Sequence, residues 1–228
     1  MTPERMRCLE RLARVILEID RPHPVRVAID GPDAAGKTVL ADELAPILEI
    51  AGRPVIRASI DGFHRPRAQR LERGAESPEG YFHDSFDYAA LRAVLLEPLG
   101  PGGEARFRRR VFDYRTDERV ESTTEVASPN SILLFDGVFL LRHELDETWD
   151  FGVFVAVSFA ETQRRVAVRD LALFGSEDEL LRRYAARYIP GQLLYLELEH
   201  PQSRADAVFY NEDPAKPRLR LRRRIVPA

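Results

Sequence analysis

Val25-Arg26-Val27-Ala28-Ile29-Asp30-Gly31-Pro32-Asp33-Ala34-Ala35-Gly36-Lys37-Thr38 decides the fold of this chain. Its first five residues are rich in β-branched side chains and read as a strand, and Asp30 to Asp33 supply turn formers. Leu40, Leu44, Ile47 and Leu48 then recur at helical spacing. Between strand and helix, Gly31 to Thr38 satisfy G-x-x-x-x-G-K-[ST] at every fixed position. Glycine lets the backbone curl so that successive N–H groups converge at a helix N-terminus, where the helix dipole also favours negative charge. The expected ligand is the phosphate chain of a nucleotide. Gly31, Asp33, Ala34, Ala35, Gly36, Lys37, Thr38 and Val39 would form its cradle, with Lys37 reaching the β- and γ-phosphates and Thr38 a magnesium ion.

Working outward, Val55 to Ile60, Ile132 to Phe135, Val153 to Val157 and Ala207 to Tyr210 are further short apolar runs, and helical patterns separate several of them. This alternation predicts βαβ units: an α/β fold in three layers, with a mainly parallel sheet covered by helices on both faces. An opening helix through Leu9, Leu12, Val15, Ile16 and Ile19 ends before Pro22 and Pro24. Pro46 should kink the helix that follows the phosphate loop. A later helix is expected from Glu161 to Leu173, and another begins at Ser176 with Glu179 in the capping-box position. Glu72 to Gly80 and Gly100 to Glu104 are polar stretches expected to form substrate loops.

The 228 residues, 44% hydrophobic and 31% charged, suit a single domain over 1–228. A chain of this size buries roughly 70% of its unfolded surface and needs no staple. The one cysteine, Cys8, excludes an intrachain disulfide and a cysteine-cluster zinc site, and suits a reducing cytoplasm. No secretory signal is expected from the N-terminal residues. No apolar run approaches the ~20 residues that would cross a bilayer. A net charge of -3 gives nucleic acid no general attraction. Arg218-Leu219-Arg220-Leu221-Arg222 alternates with period two, as an edge strand with one buried and one charged face would. The expected partner is a small molecule, with neither nucleic acid nor membrane involved.

Two carboxylates accompany the phosphate loop. Asp61 ends the second strand at the edge of the sheet where open α/β folds bind ligands. There it would accept the proton of an acceptor hydroxyl as the γ-phosphoryl group moves; its other reading is a turn cap beside Gly62. Asp136 ends Ile132-Leu133-Leu134-Phe135 as a magnesium-binding carboxylate would, or closes the strand in an Asp-Gly turn.

These segments, together with Asp61-Gly62-Phe63-His64, Tyr81-Phe82-His83-Asp84-Ser85-Phe86-Asp87, Asp136-Gly137-Val138-Phe139, Arg164-Arg165-Val166-Ala167-Val168-Arg169-Asp170 and Ala205-Asp206-Ala207-Val208, resemble the uridine kinase and phosphoribulokinase family of P-loop kinases, most of all its bacterial uridine kinase-type members. The resemblance implies ATP and Mg2+ as cofactors, Lys37 and Asp61 as catalytic residues, acceptor loops over about 61–120, a helical lid over about 161–192, and an oligomer. It also implies that Arg165 and Arg169 clamp phosphoryl oxygens, as planar permanent cations can; a solvated helix face is the alternative. His64, Tyr81, Phe82, Phe112 and Asp117 are candidate acceptor contacts, with Tyr81 and Phe82 stacking on a base. Local hydrogen bonding for His64, a core position for the aromatic rings and a solvent-facing turn for Asp117 stand beside those roles. Two positions depart from the family. Asp117 stands where its nucleoside kinases carry a histidine, and Asp136 where they carry glutamate. The expected activity is transfer of the γ-phosphoryl of MgATP to a hydroxyl, foremost a nucleoside 5′-hydroxyl. Another hydroxyl-bearing metabolite as acceptor, or a nucleotide-dependent regulator, remains open.

Overall fold

Alternation along Val25–Asp30, strand β1, divides the molecule into layers. Val25, Val27 and Ile29 join one buried cluster with Leu9, Leu12 and Ile16 of helix α1 (Pro3–Leu17) and Leu40, Leu44 and Leu48 of α2 (Lys37–Ile50). Ala28 belongs to a second cluster with Phe63, Phe82, Leu91, Phe135 and Phe139. A strand covered on both faces reads as an unbroken apolar run, which is why these strands stood out in the sequence.

The computed structural model describes residues 1–169 and 176–222. Beside β1 it contains β2 (Val55–Ser59), β3 (Ile132–Asp136), β4 (Phe151–Ala156), β5 (Ala207–Tyr210) and β6 (Arg218–Leu221). Their order across the sheet is β2-β3-β1-β4-β5-β6, parallel throughout except for β6. The expected three-layer α/β fold is therefore the observed one. Because β3 enters between β1 and β2, the ends of all three strands share one edge, with Ile29 paired to Asp136 and Asp136 to Ser59. That edge carries the phosphate loop and both strand-end carboxylates.

Several local expectations shift. The fourth strand begins at Phe151, earlier than Val153, and Ile60 opens a 3-10 turn over Ile60–Phe63. Helix α2 continues through Pro46 to Ile50. The polar stretch before Gly80 yields at Pro78 to α3 (Pro78–Asp84), capped by Ser77 Oγ, which accepts from Gly80 N at 3.0 Å. Helix α4 starts at Phe159 and is described as far as Arg169; the rest of the expected Glu161 to Leu173 helix lies outside the described residues. Helix α5 (Glu177–Arg183) has the expected cap, Ser176 Oγ accepting from Glu179 N at 3.2 Å. A π turn over Tyr184–Tyr188 leads from it into α6 (Ile189–Glu199).

In β6, Leu219 and Leu221 pack against the α1/α2 cluster while Arg218 and Arg220 are exposed, as an edge strand requires. Two short antiparallel ribbons, Arg106–Phe107 with Glu125–Val126 and Phe112–Asp113 with Glu118–Arg119, lie in the acceptor region. Among the described residues no helix is long and apolar enough to cross a membrane.

Candidate active site

The phosphate loop begins where β1 ends. Gly31 has φ +147°, and a Cβ there would sit 2.4 Å from Val155 O; Gly36 has φ +90°, and a Cβ there would meet Asn211 Nδ2 at 2.8 Å. Both positions therefore require glycine. Gly36 caps α2 without any side-chain bond, so the N–H groups of the first turn remain available to phosphate oxygens. The buried Lys37 Nζ donates to Gly31 O at 3.0 Å and Pro32 O at 2.6 Å. Burial lowers its pKa from the ordinary 10.5, opposed by the charges of Asp33, Asp30, Asp136 and Asp61. A cavity of about 660 Å³ opens beside the loop, walled by Lys37, Thr38, Val39, Arg165, Arg169 and Asn211. Its size and its line of backbone donors fit a nucleotide.

At the head of α2, Thr38 Oγ1 donates to Asp136 Oδ2 at 2.7 Å. A hydroxyl and a carboxylate oxygen side by side are hard donors, the pair that suits magnesium, with phosphate and water to complete its shell. Thr38 and Asp136 would thus hold the ion, which when bound would neutralise charge on the phosphates. Asp136 is also held through Oδ1, by Arg57 Nη2 at 3.1 Å.

Asp61 lies in the 3-10 turn just after β2, reached by solvent yet walled by protein. Burial raises its pKa from 3.8; Lys37 opposes this, Asp136 adds to it, and Arg169 and Arg115 oppose it. The charges of P-loop lysine, strand-end carboxylate and helix arginine therefore all act on the Asp61 carboxyl. The turn is closed by Val111 N, which donates to Gly62 O at 2.9 Å. A Cβ on Gly62 would lie 2.5 Å from Arg110 Cβ, so the acceptor segment can approach only because this residue is glycine.

Asp33 faces the same space, and Arg169 at the end of α4 acts electrostatically on both carboxylates. Gln192 of α6 grips Asp33 twice: its Oε1 accepts from Asp33 N at 2.8 Å and its Nε2 donates to Asp33 Oδ2 at 3.2 Å. Nothing in the sequence pattern marks Gln192 for this role. Asn211, just after β5, is equally unmarked in the sequence; its Nδ2 donates to Ala35 O at 2.7 Å and its Oδ1 accepts from Arg5 at 3.0 Å, so it braces the phosphate loop against α1. In the sequence Arg57 reads only as part of a strand. A charged residue within a short strand of the sheet is the one signal that marks it.

Some expected contacts are corrected. Phe82, 1% exposed, packs on Phe139 and Tyr195, and Tyr81, 8% exposed, on Phe139 and Tyr188. Burial there outcompetes stacking on a base. The Tyr81 hydroxyl donates to Asp33 Oδ2 instead. Arg165 spends its guanidinium on the carbonyls of Ala34, Ala35, Asn211 and Glu212 and on Glu161, so it tethers the phosphate loop to α4 and the turn after β5. Asp117, at φ +59° in the turn between Phe112–Asp113 and Glu118–Arg119, accepts through Oδ1 from Arg67 N at 2.8 Å and Arg70 Nη2 at 3.3 Å. That carboxylate ties the ribbon to the short helix Arg67–Arg70.

Phe112 and His64 do line a common cavity of about 360 Å³. The His64 ring lies 4.6 Å from that of Phe86 and 4.9 Å from that of Tyr114, and its Nδ1–H donates to Asp61 O at 3.1 Å. Burial lowers its pKa from 6.5 to about 4, so the ring is neutral at pH 7.

A nucleotide-sized cavity thus opens on the phosphate loop, at the sheet edge that also bears Asp61 and Asp136. The chain belongs to the Phosphoribulokinase / Uridine kinase family, whose model matches residues 26–209. It is 25% identical over 151 residues to uridine-cytidine kinase B of Dictyostelium discoideum, a match covering 66% of this chain and 60% of that relative's length. The solved structure of "a Possible Uridine Kinase from Bacillus stearothermophilus" superposes with a TM-score of 0.70 at 25% identity, over 89% of this chain and 97% of that one. D-glycerate 3-kinase from Cryptococcus neoformans shares the fold, with a TM-score of 0.57 at 13% identity over 89% of this chain and 94% of that one.

Proposed function

We propose that this kinase transfers the γ-phosphoryl group of MgATP to a hydroxyl of a small-molecule acceptor, with Asp61 as general base and a nucleoside 5′-hydroxyl as the first acceptor to test. The observation that carries the reading is Asp61 itself, a carboxyl of raised pKa at the sheet edge, coupled to the P-loop lysine. The acceptor hydroxyl gives its proton to Asp61 as its oxygen bonds to the γ-phosphorus, and the bridging oxygen departs with ADP. Lys37 and the first-turn N–H groups of α2 hold the phosphates in line. Arg169, lining the same cavity, balances charge there.

The name of the uridine-cytidine kinase relative supports a nucleoside acceptor. The burial of Tyr81 and Phe82 favours a second reading, a sugar or other hydroxyl-bearing metabolite, because it withdraws both rings from stacking on a base. A panel of nucleosides, sugars and nucleoside monophosphates, assayed for acceptor-dependent ADP release and for phosphorylated product, separates the two. ADP release indifferent to every acceptor would count against the kinase assignment of Asp61 and for a nucleotide-dependent regulator.

A further inference from the structure

A guanidinium largely shielded from water is costly unless its donors are satisfied. Arg57 pairs in register with Leu134 on the neighbouring strand and lies on the α1/α2 side of the sheet. Its fork spans two acceptors on β3: Nη1 donates to Leu134 O at 2.9 Å and Nη2 to Asp136 Oδ1 at 3.1 Å. Nε and Nη2 also reach Asp42 Oδ1 of α2 at 3.1 Å and 2.9 Å. The Asp136 side chain is 5% exposed and that of Arg57 23%. Asp136 is therefore held from both sides, Oδ1 by Arg57 and Oδ2 by Thr38.

We propose that Arg57 is a positioning residue for the magnesium carboxylate. It fixes Asp136 so that Oδ2 is presented beside Thr38 while Oδ1 is turned away and charge-compensated, leaving one oxygen for the cation. A planar fork anchored simultaneously on Leu134 O and Oδ1 sets the carboxylate's orientation; a lysine, one point charge on a flexible stem, cannot. Groups that orient a metal ligand without touching the metal change affinity or activity by about 10- to 100-fold when removed. The proposal rests on the MgATP reading of the P-loop and is independent of the acceptor.

The test is ADP binding by calorimetry, with Mg2+ and with EDTA, for the parent, Arg57→Met, Arg57→Lys and Asp42→Asn. In EDTA, ADP should bind Arg57→Met as it binds the parent. The tightening that Mg2+ adds should fall about tenfold in Arg57→Met, fall less in Arg57→Lys, and persist in Asp42→Asn, whose carboxylate is the exposed end of the network. The Mg2+ concentration for half-maximal turnover should rise in parallel, with the KM for ATP at saturating Mg2+ unchanged. A full Mg2+ increment in Arg57→Met overturns the proposal, as does an equal loss of ADP binding in EDTA, which would mark Arg57 as a support of the fold alone. Should Arg57→Met fail to fold, Arg57→Lys decides: a parental Mg2+ increment overturns the proposal and a reduced one supports it. A parent that gains nothing from Mg2+ removes the MgATP reading and this inference together, whereas failure to find an acceptor leaves the binding result intact.

Discussion

The Tyr81 hydroxyl donates to Asp33 Oδ2 at 3.1 Å and so ties α3 to the phosphate loop. The same oxygen accepts from Gln192 Nε2, which brings α6 to the same point. Burial raises the Asp33 pKa from 3.8, with the Lys37 charge and the Tyr81 bond opposing it. Tyr81→Phe keeps the ring contacts and removes one donor from a buried carboxyl. It should cost about 1–3 kcal/mol of stability, the usual penalty for a buried polar group that loses a partner. Urea unfolding measures this; a midpoint equal to the parent's would mean that Gln192 alone satisfies Asp33.

Asp61→Asn should leave MgADP affinity near the parental value and reduce turnover by about 10²–10⁴. Its pH behaviour has a fixed sign. Because burial raises the Asp61 pKa above 3.8, the acid limb of kcat/KM should fall at a higher pH than an ordinary carboxylate would give. The ionised form also strains the fold, so the stability from the raised pKa is full below 3.8 and lost as pH rises through the folded value. Asparagine removes that loss. Thermal melts should show Asp61→Asn more stable than the parent at pH 7 and the two converging toward pH 4; a less stable variant at pH 7 contradicts the assignment.

His64 should remain neutral until the pH approaches about 4, since burial is the main cause of its lowered pKa. A depressed histidine pKa contributes stability that is present above 6.5 and lost as pH falls from there toward about 4. NMR titration of the imidazole reads it directly. A midpoint near 6.5 would place the ring in water and undo its packing between Phe86 and Tyr114.

Asp117→Asn should fold as well as the parent, because asparagine tolerates the positive φ of this turn and its amide oxygen can still accept from Arg67 N. Only the Arg70–Asp117 ion pair is lost, whose aspartate end is exposed to solvent, worth about 0–1 kcal/mol. The ratio of kcat/KM for cytidine to that for uridine should not move. A selective change for one nucleoside would return Asp117 to the acceptor pocket.

The strands, the phosphate loop and its helix were legible because their signals are local. A glycine that must take positive φ, a lysine one residue into a helix and an apolar run that must be buried on both faces each write themselves into a few consecutive residues. The carboxylates Asp61 and Asp136 were legible for the same reason, each standing where an apolar run ends. The exact partner of a long side chain leaves no such mark.

By itself, then, the sequence determined that this chain forms a parallel α/β sheet carrying a phosphate loop, because backbone preference and burial periodicity are properties of neighbouring residues. Tertiary structure decided the rest. Setting β3 between β1 and β2 brought Arg57 to Leu134 and Asp136, and folding α3 and α6 over the loop brought Tyr81 and Gln192 to Asp33. The same closure turned Phe82 into core, Arg165 into a tether and Asp117 into a turn anchor. Which hydrogen bond a buried donor finds depends on what strand order and helix packing place within about 3 Å of it, and that distance is set by the whole fold.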